Sequence, residues 1–70
     1  MERFPIASTN VASIGYDEQA AILEVEFVKG GIYQYFGIPR DLYEEFLASP
    51  SKGAFINTRI RGVFAHAKVG

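Results

Sequence analysis

Ile22-Leu23-Glu24-Val25-Glu26-Phe27-Val28, then Lys29-Gly30-Gly31, then Ile32-Tyr33-Gln34-Tyr35-Phe36, is the stretch that decides the fold. Leu23, Val25 and Phe27 alternate with Glu24 and Glu26, the period-two pattern of a strand with one face buried and the other wet. On that pattern Glu24 and Glu26 are expected to stand exposed and keep the outer face soluble. Residues 32–36 are rich in β-formers and read as the partner strand. Gly30 and Gly31 supply the positive φ that a hairpin turn needs. Two registers fit. A three-residue loop at 29–31 pairs Phe27 with Tyr33 and Val25 with Tyr35, which puts both tyrosines on the core face. A tighter turn at Lys29-Gly30 pairs Phe27 with Ile32 and puts Tyr33 and Tyr35 beside the glutamates, on an open face suited to stacking or to a partner.

Working outward toward the N-terminus, residues 9–16 alternate loosely, with Ala12, Ile14 and Tyr16 on one side. They read as a first strand, separated from the second by the polar turn Asp17-Glu18-Gln19-Ala20. Toward the C-terminus, Pro39 favours the first helical position. Leu42, Tyr43, Phe46 and Leu47 then give a helical apolar face, and Asp41, Glu44 and Glu45 lie toward the positive end of its dipole. Ser49-Pro50 stops that helix. Ser51 is a good N-cap for a second helix over about 52–61, with Phe55, Ile56 and Ile60 as its apolar face and Gly62 as its stop. The tail, 63–69, fits either a short edge strand or a loop. The expected fold class is α+β: a three-stranded antiparallel meander followed by two short helices packed on one sheet face, as one domain over residues 1–70.

Seventy residues with 49% apolar and 21% charged side chains describe a small globular chain. Such a domain keeps only about 3–5 kcal/mol of net stability from its core, so it needs staples, self-association or a well-packed aromatic core. Cysteine is absent, which excludes disulfides and thiolate metal sites and fits the cytoplasm. No apolar run approaches the length of a spanning helix, and no basic region precedes an apolar run at the N-terminus, so neither a membrane span nor a signal peptide is expected. Net charge is −1, but its distribution is uneven. Residues 1–50 hold all eight acidic side chains against three basic ones, whereas residues 51–70 hold Lys52, Arg59, Arg61 and Lys68 and no acid. A basic segment suits an anionic partner, or the acidic part of the same or another copy. With a pI near 5.7 the chain departs from domains that track long phosphate backbones, so a short anion fits better.

Catalytic and metal-binding patterns are weak. His66 is the single histidine, sits in the tail and has no nucleophile-elbow sequence to serve. The expectation is therefore no catalytic residues, no metal and no cofactor. One constellation is stronger. Ser51-Lys52-Gly53 opens the second helix, where free N–H groups, a lysine charge and a side-chain-free approach suit a phosphate or carboxylate. Asn57 and Arg61, four apart, share a face away from Phe55 and Ile56. Arg59 falls on the apolar side, where its stem can pack while its head reaches water or a ligand. Each feature also has a structural reading: a cap, a crowded helix contact, solvated heads.

Tyr33-Gln34-Tyr35 after a glycine hairpin, Phe36-Gly37-Ile38-Pro39, then Ser51-x-Gly53-x-Phe55-x-Asn57 with Ile60-Arg61, and the early Ser13-Ile14-Gly15-Tyr16-Asp17, together resemble the KTSC domain family. The resemblance covers roughly residues 8–66. The family takes its name from the C-terminus of some lysyl-tRNA synthetases and also occurs as small free-standing bacterial and phage proteins. That context implies RNA as a partner, and it implies no catalytic residues. The expected function is a non-enzymatic binding module for a nucleotide-type anion, RNA or a small nucleotide, including a phage-type role of sequestering a signalling nucleotide. The expected site is Tyr33, Tyr35, Ser51, Lys52, Gly53, Asn57, Arg59 and Arg61. The alternative is a protein-interaction or homo-oligomeric assembly module, which the small core and charge asymmetry would serve.

Overall fold

A computed structural model describes all residues, 1–70. Five strands form one antiparallel sheet in sequence order: β1 (Phe4–Pro5), β2 (Val11–Asp17), β3 (Ile22–Phe27), β4 (Ile32–Phe36) and β5 (His66–Lys68). Between β4 and β5 the chain forms helix α1 (Arg40–Ala48), helix α2 (Lys52–Phe55) and a π-helical turn, Ile56–Ile60, that continues α2. The α+β class holds, but the meander has five strands rather than three. Residues 4–5 are too few to show an alternation, and Pro5 sits where proline is tolerated, on an edge strand. The tail is the other edge. No helix is long and apolar enough to cross a membrane.

The central hairpin takes neither expected pairing. Glu26 faces Ile32, Val25 faces Tyr33 and Leu23 faces Tyr35. The Phe27 N–H donates to Gly31 O at 3.0 Å, and the Gly30 N–H donates to Phe27 O at 3.0 Å. The loop is therefore Val28-Lys29-Gly30, with φ of 117° at Gly30 and 94° at Gly31. Val28, expected at the strand end, lies in this turn and is exposed. The parity matches the first alternative, so Tyr33 and Tyr35 share the face of Leu23 and Val25, and they do not form an open outer platform.

Both helices cover that face. Val11, Ile14, Leu23, Val25 and Tyr35 of the sheet pack with Ile38, Leu42, Phe46, Phe55, Ile56 and Ile60 as one core. Of the apolar face expected on α1, Leu42 and Phe46 are buried, whereas Leu47 is exposed. Ser49 caps the C-terminus of α1, and its N–H bonds back to Phe46 O.

The outer face differs from expectation. Glu24 is only 5% exposed. The N-terminal segment folds over it. Arg3 forms an ion pair with Glu24, and its Nε donates to Ser13 Oγ at 3.0 Å. Gln34 Nε2 donates to the other Glu24 oxygen at 2.8 Å, and Ser13 Oγ donates to Glu26 at 2.8 Å. Gly15 admits the crossing, because a Cβ there would lie 2.4 Å from Glu2 O. Burial pushes the Glu24 carboxyl up. The hydrogen bonds from Gln34 and Arg3, with the Arg3 charge, outweigh that and hold it below the usual glutamate range.

Two outcomes follow. Phe46→Ala is expected to cost about 3–5 kcal/mol in urea unfolding, while Leu47→Ala, one residue on, stays within about 0.5 kcal/mol. A folded-state pKa held low stabilises above the unfolded value near 4.5 and loses that contribution as pH falls through the folded value. Wild type is thus expected to exceed Glu24→Gln in stability above about pH 5, with the gap closing toward pH 3. Parallel pH profiles for the two proteins would contradict the pairing.

Candidate functional site

Where the two helices leave the sheet uncovered, a cleft of about 620 Å³ opens between the hairpin end and the π-helical turn. That volume lies within the ordinary range for small-molecule sites. Asn10 lines it from the lead-in to β2, Phe27, Lys29 and Gly30 from the hairpin, and Tyr33 and Tyr35 from β4. Gly53 of α2, Asn57 of the π-helical turn, Arg61 just after it and His66 of β5 complete the lining.

An aromatic ladder forms the sheet side. The Phe27 and Tyr33 rings meet edge to face at 5.6 Å between centroids. The His66 ring sits 6.2 Å from Tyr33 and 5.8 Å from Tyr35. Tyr33 is half-buried and presents a ring to the cleft; Tyr35 is 2% exposed and belongs to the core. The expectation of two exposed stacking tyrosines therefore fails for Tyr35, because the observed register points it between the helices and the sheet. Burial raises the Tyr35 hydroxyl above its usual pKa, and the Arg61 guanidinium beside it opposes that rise by charge and hydrogen bonding.

Of the expected site residues, the structure brings Tyr33, Tyr35, Gly53, Asn57 and Arg61 together and leaves out Ser51, Lys52 and Arg59. Ser51 Oγ accepts from the Ala54 N–H at 3.3 Å, an ordinary N-cap. Lys52 Nζ donates to Ser49 O at 2.6 Å and lies 6.0 Å from the Phe46 ring centroid. The helix start is thus closed by its own neighbours. Arg59 stacks on Phe55 with its guanidinium carbon 5.1 Å from the ring centroid, and its Nη2 donates to Glu45 at 3.2 Å. Gly53 does not offer bare backbone to a ligand. Asn10 covers it, and a Cβ at Gly53 would meet Asn10 Nδ2 at 2.5 Å.

Asn10, Phe27, Lys29, Gly30 and His66 were not expected at the site. Only the fold brings residues 10, 29, 57 and 66 together. The sequence puts His66 in the tail; strand pairing opposite Tyr35 places it on the cleft.

The charge around the cleft is one-sided. Arg61 and Lys29 line it with His66, and no carboxylate does. Arg3, Arg40 and Arg59 all have acidic partners, so Arg61 is the arginine without one. A second depression, of about 740 Å³, lies beside the stacked Tyr16 and Tyr43 rings, 4.1 Å apart. Its arginines, Arg3 and Arg40, are already paired, and Glu2, Asp17 and Glu18 line it, so it suits an anion poorly.

A family model for the KTSC domain matches residues 7–64. The crystal structure of a KTSC domain protein from Yersinia pestis matches with a TM-score of 0.93 at 39% identity, covering 99% of this chain and 97% of that one. An uncharacterized protein of Stutzerimonas stutzeri is 37% identical over 57 residues, which are 81% of this chain and 80% of that protein. A lysine–tRNA ligase of Nostoc punctiforme is 33% identical over 54 residues, 77% of this chain but 10% of the ligase.

Asn57 is exposed, has no side-chain hydrogen bond and occupies a helical position that asparagine disfavours. Asn57→Ala is therefore expected to raise stability by about 0.5 kcal/mol in chemical unfolding. A loss of stability would instead assign Asn57 a structural role.

Proposed function

The chain belongs to the KTSC domain family, and we propose that it is a non-enzymatic module that binds a nucleotide-type anion in the cleft above β4. The observation that carries this reading is the unpaired Arg61 beside Lys29 and His66, in an acid-free cleft with an aromatic wall. A base has a π-face for Tyr33 and Phe27, and a phosphate has Arg61 and Lys29 as donors. The cleft volume suits about one nucleotide unit, free or as part of a strand. Likeness to a segment of a lysine–tRNA ligase supports RNA as one source of that unit. The acidic pI supports a short contact rather than a long backbone track.

The test is an amide-shift NMR titration of the labelled chain with a mixed pool of mono- and cyclic nucleotides and, separately, a short single-stranded RNA. Shifts are expected at Tyr33, Asn57, Arg61 and His66. Arg61→Ala and Lys29→Ala are each expected to weaken binding about tenfold, whereas Lys52→Ala and Arg59→Ala leave it unchanged. A salt slope worth one or two phosphates would assign a free nucleotide, and a steeper slope RNA. No shifts from either titrant would overturn the nucleotide reading and favour a protein partner or self-assembly.

A further inference from the structure

The cleft holds two kinds of polar group. Arg61 and Lys29 only donate, and both carry charge, which suits phosphate. Asn10 and Asn57 are different. Each presents a planar amide with donor and acceptor side by side, and neither side chain has a hydrogen-bond partner within the chain.

Asn57 is held at a cost that the fold itself does not recover, and Asn10 is held in place by its packing on α2. Asn57 lies in a π-helical turn, a rare geometry that recurs at functional sites, and asparagine is a poor helix former there. Asn10 rests on Gly53, the second residue of α2. Glycine disfavours a helix, and the contact explains why it stands there: any side chain would collide with the Asn10 amide. Local rules broken without structural return mark functional positions.

Resting on the nucleotide reading above, we propose that Asn10 and Asn57 read the base edge, and that the base is adenine. The proposal places the amides on the edge that carries N7, where adenine alone offers a donor beside an acceptor: a carboxamide there accepts from N6–H and donates to N7, whereas guanine offers two acceptors and the pyrimidines have no N7. The aromatic wall of Phe27 and Tyr33 would hold the ring plane, while Arg61 and Lys29 take the phosphate. The arrangement separates the two tasks: cations position, amides specify.

Calorimetric titration of the full chain with AMP, GMP, CMP, UMP and ribose 5-phosphate tests this directly. AMP is expected to bind about tenfold more tightly than GMP, UMP or CMP, and GMP binding as tightly as AMP would overturn the adenine assignment. Asn57→Ala and Asn10→Ala are each expected to lower AMP affinity about tenfold and leave ribose 5-phosphate unchanged, with circular dichroism confirming that both variants fold. Equal affinity for all four nucleotides, or AMP affinity untouched in both variants, would overturn base reading while leaving the nucleotide site in place. Binding of none of the five would overturn the nucleotide reading itself, and the adenine assignment with it.

Discussion

The pairing of Val25 with Tyr33 and Leu23 with Tyr35 is the constraint on which the rest of the structure depends. It is set by the turn, where Phe27 closes on Gly31 around Val28-Lys29-Gly30. A slip of one residue would send both tyrosines to the glutamate side and empty the core beneath the helices. In the observed register Tyr35 fills that core, Tyr33 reaches the rim, and Lys29 stands at the mouth of the cleft. The same register aligns Glu24 with Gln34 on the opposite face, where Arg3 closes over it.

The two faces solve different problems. The outer face is sealed by a polar network in which the buried carboxylate has partners for both oxygens. A buried charge is tolerated only on those terms. The inner face is sealed by helices, except where the π-helical turn swings away from the hairpin end. The cationic side chains divide accordingly. Lys52 and Arg59 close a helix start and cover Phe55, and Arg3 and Arg40 meet acids, which leaves Lys68 on the edge strand β5 and Arg61 and Lys29 lining the cleft without a carboxylate partner. Charge that is already paired contributes little to a ligand; charge held beside apolar rings without a counterion contributes more.

Much of this was legible from residue order, and the exceptions have physical causes. The alternation in 22–27, the β-rich run 32–36, the Ser51 cap and the Phe55-Ile56-Ile60 face all match the structure, because each is a local pattern. The hairpin register was not legible, since the candidate turns overlap on Lys29-Gly30 and Val28 reads as the end of the apolar strand. Glu24 reads as a solvated strand residue until Arg3, 21 positions away, is placed over it. Arg59 and Arg61 are indistinguishable as charges in the sequence; only helix packing shows that Glu45 neutralises one and nothing neutralises the other. Asn10, Lys29 and His66 come from three separate segments, so no spacing rule could have joined them. Asn57 did leave a signal, as a poor helix former in mid-helix.

The chain therefore carries its candidate site on the sheet with a short helical wall; Tyr35 and Gly53 also serve the core and the helix contact, whereas Lys29 and Asn57 have no side-chain partner within the chain. The most direct measurement of this account is an isotope-filtered nuclear Overhauser experiment on the chain with a saturating nucleotide. The account predicts contacts from base protons to the rings of Tyr33 and Phe27, and none to Tyr16 or Tyr43. Contacts confined to Tyr16 and Tyr43, or a complete absence of base-to-ring contacts, would contradict it.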